Sequence, residues 1–368
     1  MTDEPLDIGV LGYRFMGKAH ANAFARLPMF FADAPDLNRA VLVGRDEAAL
    51  ADAADELGFA RTATDWESVV DEVDVFYNLG PNHVHAEPSI AALEAGTPVF
   101  CEKPLAPGLD DAAAMAEAAA DADVPAGIAF NYRFIPAIQY AKNLIEAGEL
   151  GELRHFRGRY LQDWLVDPEA PWSWRNDEEL AGSGALGDLG AHTVDLARFL
   201  VGDVAAVSGH LRTFVDERPV DGEDETRPVT VDDAYSAQVA FEDGTMGTLE
   251  ASRFANGRKN DHTIEIEGSK GSLKFSLERL NELEVLREDS RGYETVLVTD
   301  ESDPYIDHWW PPGHVIGWEH TFVHENYEFL SAVAEGGDYE PSFADGLAVQ
   351  RVLDAVERSD DERAWIEV

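Results

Sequence analysis

The sequence predicts an α/β protein in two parts: a doubly wound parallel sheet over residues 1–130, then an α+β domain on a mainly antiparallel sheet over residues 131–368. Three observations carry this. Short apolar runs alternate with alanine-rich helical stretches up to about residue 130, a glycine-bearing turn follows the first run, and beyond residue 147 longer runs with period-two character take over. Short strands separated by helices need cover on both faces, which a parallel sheet provides. Alternating runs leave one face polar, as antiparallel sheets do.

In the first part, strands are expected near Ile8 to Leu11, Ala40 to Val43, Val73 to Leu79, Pro98 to Cys101 and Ala126 to Phe130. Helices are expected near Met16 to Leu27, Glu47 to Leu57, Val84 to Ala95 and Asp111 to Ala122, with an irregular insert at "LPMFFADAPDLN". In the second part a helix from Ile135 to Ala147 precedes "LRHFRGRYLQDW", "AYSAQVAFEDGTMGTLEASRF", "HTIEIEGSKGSLKFS" and "ELEVLRE". Hairpin signals stand at Glu242–Gly244 and Gly268–Gly271. Helices near Ala185 to Leu200, Trp318 to Ala334 and Asp345 to Arg358 complete it, with the acidic Asp221–Glu225 stretch as a surface loop.

Composition narrows the function classes. With 28 Lys+Arg against 72 Asp+Glu the net charge is −44, which argues against a nucleic-acid partner. The charge is spread along the chain and only six lysines occur, as in a surface adapted to a high-salt cytoplasm. There a Debye length of about 3 Å at 1 M salt screens self-repulsion. The composition resembles that of salt-loving archaea. No apolar stretch reaches membrane-span length and the start "MTDEPLD" is acidic, so a soluble, cytoplasmic protein with no membrane partner is expected. A single cysteine, Cys101, fits a reducing compartment and excludes a cysteine-built metal site.

The first strand runs into "GYRFMG". A dinucleotide-binding turn reads Gly-x-Gly-x-x-Gly, whose outer glycines allow the tight turn and close helix packing while the middle one admits the pyrophosphate. Gly12 and Gly17 are in place, but Arg14 stands where the middle glycine would be. Its Cβ crowds the approach, yet its guanidinium can pair with phosphate directly. The second strand ends Gly44-Arg45-Asp46. A small residue followed by arginine, in place of a ribose-binding acid, points towards NADP, while Asp46 keeps NAD open. Arg45 as a solvated surface residue is the plainer alternative.

Two further segments leave carboxyl ends of parallel strands, where open α/β sheets place ligands. They are "NLGPNHVH", with Gly80, Pro81, Asn82 and His85, and "VFCEKP", with Glu102 and Lys103. A partly desolvated lysine there suits proton exchange, and a plain turn is the alternative. In "GALGDLGAHTVDLARFL", Asp188 and His192 stand four apart on one helix face. A carboxylate beside an imidazole is a working acid/base pair, a helix-stabilising ion pair, or two metal ligands. Metal is the weakest of these, since no HExxH occurs, and no metal is expected. Tryptophans cluster at Trp164, Trp172, Trp174 and again at Trp309, Trp310, Trp318, beside polar groups such as Gln162, Asp163 and Arg175. Such a set suits a sugar's C–H faces and hydroxyl edges, or ordinary packing.

Together "GYRFMGKAH", "GPNHVH", "CEKP", "FNYRF" and "GALGDLGAHTVDLARFL" resemble the Gfo/Idh/MocA oxidoreductase family over nearly the whole chain. Within it, "HANAFARLPMFF", "YLQDWLVDP", "ASRFANGR" and "SFADG" look most like levoglucosan dehydrogenases, with inositol and anhydro-sugar dehydrogenases next. The resemblance implies a Rossmann domain, a second domain whose large open sheet forms homodimers or homotetramers, and an NADP or NAD cofactor. It implies a hydride transfer between nicotinamide and a secondary alcohol of a cyclic sugar, anhydro-sugar or inositol. Lys103, Asp188 and His192 then are the catalytic set. Gly12, Tyr13, Arg14, Phe15, Met16, Gly44, Arg45, Gly80, Pro81, Asn82, His85, Glu102 and Lys103 face the cofactor. Tyr132, Arg133, Gln162, Trp164, Trp174, Arg175, Asp188 and His192 face the substrate. A few relatives of this fold cleave glycosides through transient oxidation by tightly held NAD, and a non-catalytic nucleotide-binding regulator is a third class.

Overall fold

The computed structural model describes residues 4–368; residues 1–3, part of the acidic start, lie outside that description. The chain falls into two compact units, Met1–Asn131 with Gly317–Ala348, and Tyr132–Ile316 with Val349–Val368. This differs from two consecutive blocks cut at residue 130. The segment Gly317–Ala348, expected in the second domain, belongs to the first unit.

The first unit holds a parallel sheet of β1 (Leu6–Leu11), β2 (Leu37–Val43), β3 (Arg61–Ala63), β4 (Val75–Asn78), β5 (Val99–Cys101) and β6 (Ala126–Ile128). The order is β3-β2-β1-β4-β5-β6, so the direction of winding reverses between β1 and β4. That reversal opens a crevice at the strands' carboxyl ends, where such sheets take ligands. β4, β5 and β6 are wholly buried, with α1 (Phe15–Phe30), α2 (Glu47–Leu57), α3 (Ala86–Glu94) and α4 (Leu109–Asp121) as the helices of this unit's first 131 residues. α1 continues through Pro28 to Phe30 where an irregular insert was expected. β3, only three residues long with two of them exposed, carries too little apolar pattern to read from sequence.

The second unit is built on nine strands in the order β16-β15-β14-β13-β7-β12-β11-β8-β17. They are β7 (Leu153–Leu161), β8 (Val204–Arg212), β11 (Ala234–Phe241), β12 (Met246–Ser252), β13 (Asp261–Gly268), β14 (Ser272–Ser276), β15 (Glu282–Leu286), β16 (Glu294–Leu297) and β17 (Ile366–Glu367). Every pairing is antiparallel except β7 with β12. Alternation is clean: Phe156, Tyr160, Tyr235, Leu249, Ile264 and Ile266 point inward, whereas Arg157, Gln238, Glu250 and Glu265 line the other face. Helices α5 (Pro136–Glu146), α6 (Glu178–Ala181) and α7 (Ala191–Leu200) belong to this unit. A separate hairpin, β9 (Glu217–Pro219) with β10 (Thr226–Pro228), carries the exposed acidic loop at its tip.

Two helices end the chain, α8 (His320–Glu335) and α9 (Phe343–Glu362). α8 lies along α1, where the Tyr327 ring packs at a tilt on Phe31 with centroids 4.5 Å apart and its hydroxyl donates to Asp33 over 2.8 Å. Phe329 reaches Phe100 at 4.8 Å. The aromatic surface of β4 and β5 is thus covered by a helix from far along the sequence, which is why Gly317–Ala348 joins this unit.

Candidate active site

In the first unit the glycine turn occupies the crevice between β1 and β4. Gly12 has φ +103°, a conformation that disfavours side chains, and a Cβ there would stand 2.5 Å from the Leu79 carbonyl oxygen. A Cβ on Gly17 would overlap the Gly12 carbonyl, so α1 starts hard against the turn. α1 begins with Arg14 as its N-cap, with no side-chain cap and no acid in its first turn. Those uncapped N–H groups at the positive end of a 16-residue helix form an anion cradle. Arg14 and Phe15 are exposed beside it, with Tyr13 and Met16 half-buried.

Gly44 is required by a neighbour, since a Cβ there would overlap the Tyr13 ring. Arg45 follows it, exposed, while Asp46 caps α2 by accepting the Ala48 and Ala49 N–H groups at 3.2 Å. The acid at the end of β2 therefore already has a structural duty on one oxygen.

The 80–82 turn and the 102–104 turn are braced by His85. Its Nδ1 lies 2.9 Å from the Pro104 carbonyl and its Nε2 3.0 Å from the Gly80 carbonyl, and the ring is fully buried. Burial lowers its pKa, against the pull of the two carbonyls. His85, expected on the cofactor side, ties the 80–82 and 102–104 turns together. Asn78, which sequence reading did not single out, sends its amide to the Val84 and His85 carbonyls and to Ser89. Half-buried Lys103 follows Glu102, whose carboxylate accepts the Lys103 N–H at 3.1 Å and meets His20 Nε2 at 3.3 Å. Asn326 donates to His20 Nδ1 at 3.0 Å, so the His20 proton sits on Nε2 and points at Glu102. Beyond it Glu325 is fully buried, and desolvation, with Glu102 nearby, pushes its carboxyl well up.

In the second unit Asp188 and His192 enter on a π-helical turn, Leu186–Gly190, that runs straight into α7. A regular α-helix from Ala185 was expected; the wider turn is a difference with a visible cause. Asp232 accepts the Gly184 N–H at 2.6 Å and the Leu186 N–H at 3.0 Å, and its carbonyl takes the Ala185 N–H at 3.1 Å. These bonds fix the start of the helix from outside it. Gly190 lets the turn pass Tyr235, whose hydroxyl would stand 2.9 Å from a Cβ there. π-turns of this kind recur at functional sites.

His192 is buried with its ring 4.6 Å from the Tyr132 ring. Behind it runs an ordered polar chain. Asn260 Oδ1 can only accept, and it takes the Tyr160 hydroxyl at 2.7 Å and the Gln162 amide at 2.8 Å. With its proton committed there, Tyr160 accepts from the Tyr132 hydroxyl at 2.8 Å. Burial, then Tyr132 and Asp188, pushes the Tyr160 pKa well up, which keeps it a donor. His262 stacks flat on Tyr160 at 4.5 Å and meets Thr193 at 3.2 Å; burial pushes it down to about 3, so it is neutral.

The remaining expected substrate residues divide. Gln162 and Trp164 lie on the segment leaving β7, with Trp164 45% exposed. Arg175 lies 4.4 Å over the Trp174 ring. Arg133 behaves differently: buried, it binds Asp195 through three contacts of 2.6–3.0 Å and so braces α7. Among the described residues no group of three or more His, Cys, Asp or Glu is arranged to hold a metal, and no helix is long and apolar enough to cross a membrane. Asn260 and Asp232 were missed because each acts through partners that no local spacing reveals, and Asn78 because a buried strand-end amide gives no signal of its own even though its partners lie close along the chain.

Comparison with known proteins agrees with this geometry. Residues 6–130 match the model of an oxidoreductase family with an NAD-binding Rossmann fold, and residues 138–274 match the GFO/IDH/MocA C-terminal domain. The chain is 43% identical to a levoglucosan dehydrogenase of Pseudarthrobacter phenanthrenivorans, over 99% of this chain and 98% of that one. A structure of levoglucosan dehydrogenase in complex with NADH and levoglucosan has TM-score 0.96 at 43% identity, covering 99% of both chains. The crystal structure of an oxidoreductase domain protein from Kribbella flavida has TM-score 0.96 at 50% identity, again over 99% of both.

Proposed function

The chain belongs to the GFO/IDH/MocA oxidoreductase family, and from that premise we propose its substrate class, cofactor preference and catalytic residues. It is an NAD(P)-dependent oxidoreductase acting on CH–OH groups of sugars or polyols. Our reading narrows the substrate to a cyclic sugar, an anhydro-sugar resembling levoglucosan, or an inositol. The observation that carries it is the His192 surroundings, where a buried imidazole meets Tyr132 at the head of a hydrogen-bonded row ending at Gln162. Such a row is a polar wall suited to a polyhydroxylated ring.

The turn at Gly12, the uncapped start of α1 and the small Gly44 fit a dinucleotide. Tyr13, Arg14, Phe15 and Met16 would hold its pyrophosphate, Gly80, Pro81 and Asn82 its far side, and Glu102 would fix the Lys103 backbone. When bound, nicotinamide supplies the hydride acceptor at C4. His192 takes the proton of the substrate hydroxyl, Lys103 hydrogen-bonds that oxygen, and Asp188 orients the pair. Tyr132, Gln162, Trp164, Trp174 and Arg175 orient the ring, while Arg133 and His85 act through the elements they brace. Exposed Arg45, with Asp46 engaged as a cap, supports NADP as the preferred form.

The polar face of the nine-stranded sheet, with a groove of about 600 Å³ bearing Arg157, Arg159, Gln238, Glu250 and Glu265, supports a homodimer or homotetramer. The charge of −44 supports a high-salt setting. A panel of cyclic sugars, anhydro-sugars and inositols with NAD and NADP in turn, at about 0.1 M and 2 M KCl, tests all of this. Reduced cofactor with at least one ring alcohol, faster at high salt, is expected. No reduction across the panel overturns the substrate reading, and best activity in dilute buffer overturns the salt reading.

A further inference from the structure

The second unit buries two arginines that the acid/base chemistry does not use. Arg218, on β9, has no exposed surface, and its bonds run to backbone carbonyls of one loop: Leu165 at 2.8 Å, Asp167 at 2.9 Å and Ala170 at 3.3 Å. That loop joins Gln162 and Trp164 to Trp174 and Arg175. The same hairpin grips it again, since the Trp172 N–H donates to the Pro219 carbonyl at 2.7 Å and the indole N–H to Pro228 at 3.0 Å.

Arg253 is 1% exposed, stands 5.9 Å from the Trp164 ring and donates to the Asp232 carbonyl at 2.8 Å. Its guanidinium also lies 3.8 Å from Asp233, whose other oxygen takes the Phe214 and Val215 N–H groups where the chain sets out towards β9. Asp232 in turn holds the Gly184 and Leu186 N–H groups ahead of Asp188. Asp233 lies within electrostatic reach of both Arg218 and Arg253, and Asp232 within reach of Arg253, so two cations and two anions share one buried cluster; its arms end on two different pieces of the proposed substrate half-site. A guanidinium buried whole and spent on three carbonyls fixes a loop's shape more than it adds stability, because desolvation offsets much of the attraction.

We infer that Arg218, Asp233, Arg253 and Asp232 form a buried clamp that holds both the sugar loop and the start of the acid/base helix in place for the substrate ring. The inference rests on the reading above, in which Gln162, Trp164, Trp174 and Arg175 contact the sugar and His192 takes the proton. These are positioning residues. Loosening the loop removes binding that substrate and transition state share, so it raises KM; loosening the helix start displaces the base, so it lowers kcat.

The test compares Arg218→Met, Arg218→Lys and Asp232→Asn in the full chain by kinetics, NADH binding and backbone hydrogen exchange. For Arg218→Met we expect KM for the best sugar to rise roughly 30-fold with kcat within about threefold. NADH affinity stays unchanged, and exchange over 162–176 quickens at least about tenfold. Arg218→Lys restores part of both effects, since an ammonium lacks the fork that spans three carbonyls. Asp232→Asn lowers kcat by roughly 30-fold with little change in KM, and quickens exchange over 184–192. Should Arg218→Met not fold, Arg218→Lys carries the same two readouts at smaller size. Equal losses in kcat and KM, or unchanged exchange in both segments, overturn the clamp. If the wild type oxidises no ring alcohol, the functional reading fails, and the segment-specific exchange still decides whether the clamp exists.

Discussion

The glycine turn of the first unit is built from backbone, and the buried polar row of the second is built from side chains. Around the glycine turn lie N–H groups and close passes of main chain, and some of the bonds that hold them are short in sequence. Asp46 caps α2 two and three residues away, and His85 reaches Gly80 five residues back. In the second unit each working side chain is fixed from afar: Asp232 to Gly184 over 48 residues, Arg133 to Asp195 over 62, Tyr160 to Asn260 over 100. A backbone site is written in glycines at fixed offsets, whereas a side-chain site is written in pairs that only folding brings together.

The largest effects test whether each unit contributes its own chemistry. Lys103→Met and His192→Ala should each lower kcat/KM by about 10²–10⁴ while NADH binding, followed by fluorescence, stays within twofold. Weakened NADH binding in His192→Ala would break the division, since that residue belongs to the side-chain half. Asn260→Ala comes next. It deprives Tyr160 and Gln162 of one shared acceptor and should cost roughly 10- to 100-fold in kcat/KM, carried mainly by KM. An unchanged KM would remove Asn260 from the sugar wall.

Arg45→Ala sharpens the comparison from the other side. It should shift the NADP-to-NAD ratio of kcat/KM towards NAD by about tenfold and leave sugar KM alone; a moved sugar KM would contradict a purely cofactor role. The smallest effect is on stability. Burial, then Asp232, Asp354, Glu178 and Asp361, pushes Glu357 from 4.5 up to about 8. The folded state therefore holds this proton between those values and the unfolded state does not, so its contribution is fullest below pH 4.5 and is lost as pH rises through 8. Glu357→Gln should match wild type at pH 4.5 and melt about 2 °C higher at pH 9, by scanning fluorimetry. An equal gain at both values would point to packing instead.

Legibility in the sequence follows the same division. The parallel strands, the glycine turn and the hairpins at Gly244 and Gly271 were readable, because apolar runs and turn residues report local geometry. The return of α8 to the first unit was not, since Phe329 and Tyr327 find their partners some 230 and 300 residues away. Asp188 and His192 could be named from their spacing, yet the π-turn that presents them is imposed by Asp232 from another part of the chain. Arg133 reads as a substrate arginine beside Tyr132, and only the fold shows its fork closed on Asp195. Arg218 gave no signal at all, sitting in an acidic surface stretch that folds back over a loop fifty residues earlier.

The central claim is a direct hydride transfer from a ring carbinol to nicotinamide. The wild-type enzyme should be given a cyclic sugar alcohol deuterated at the oxidised carbon, with NADP or NAD, and the reduced cofactor analysed by mass spectrometry and NMR. One deuterium at nicotinamide C4, formed in step with the ketone, is the result this account predicts. Reduced cofactor without deuterium, or sugar released with no net reduction, would contradict it.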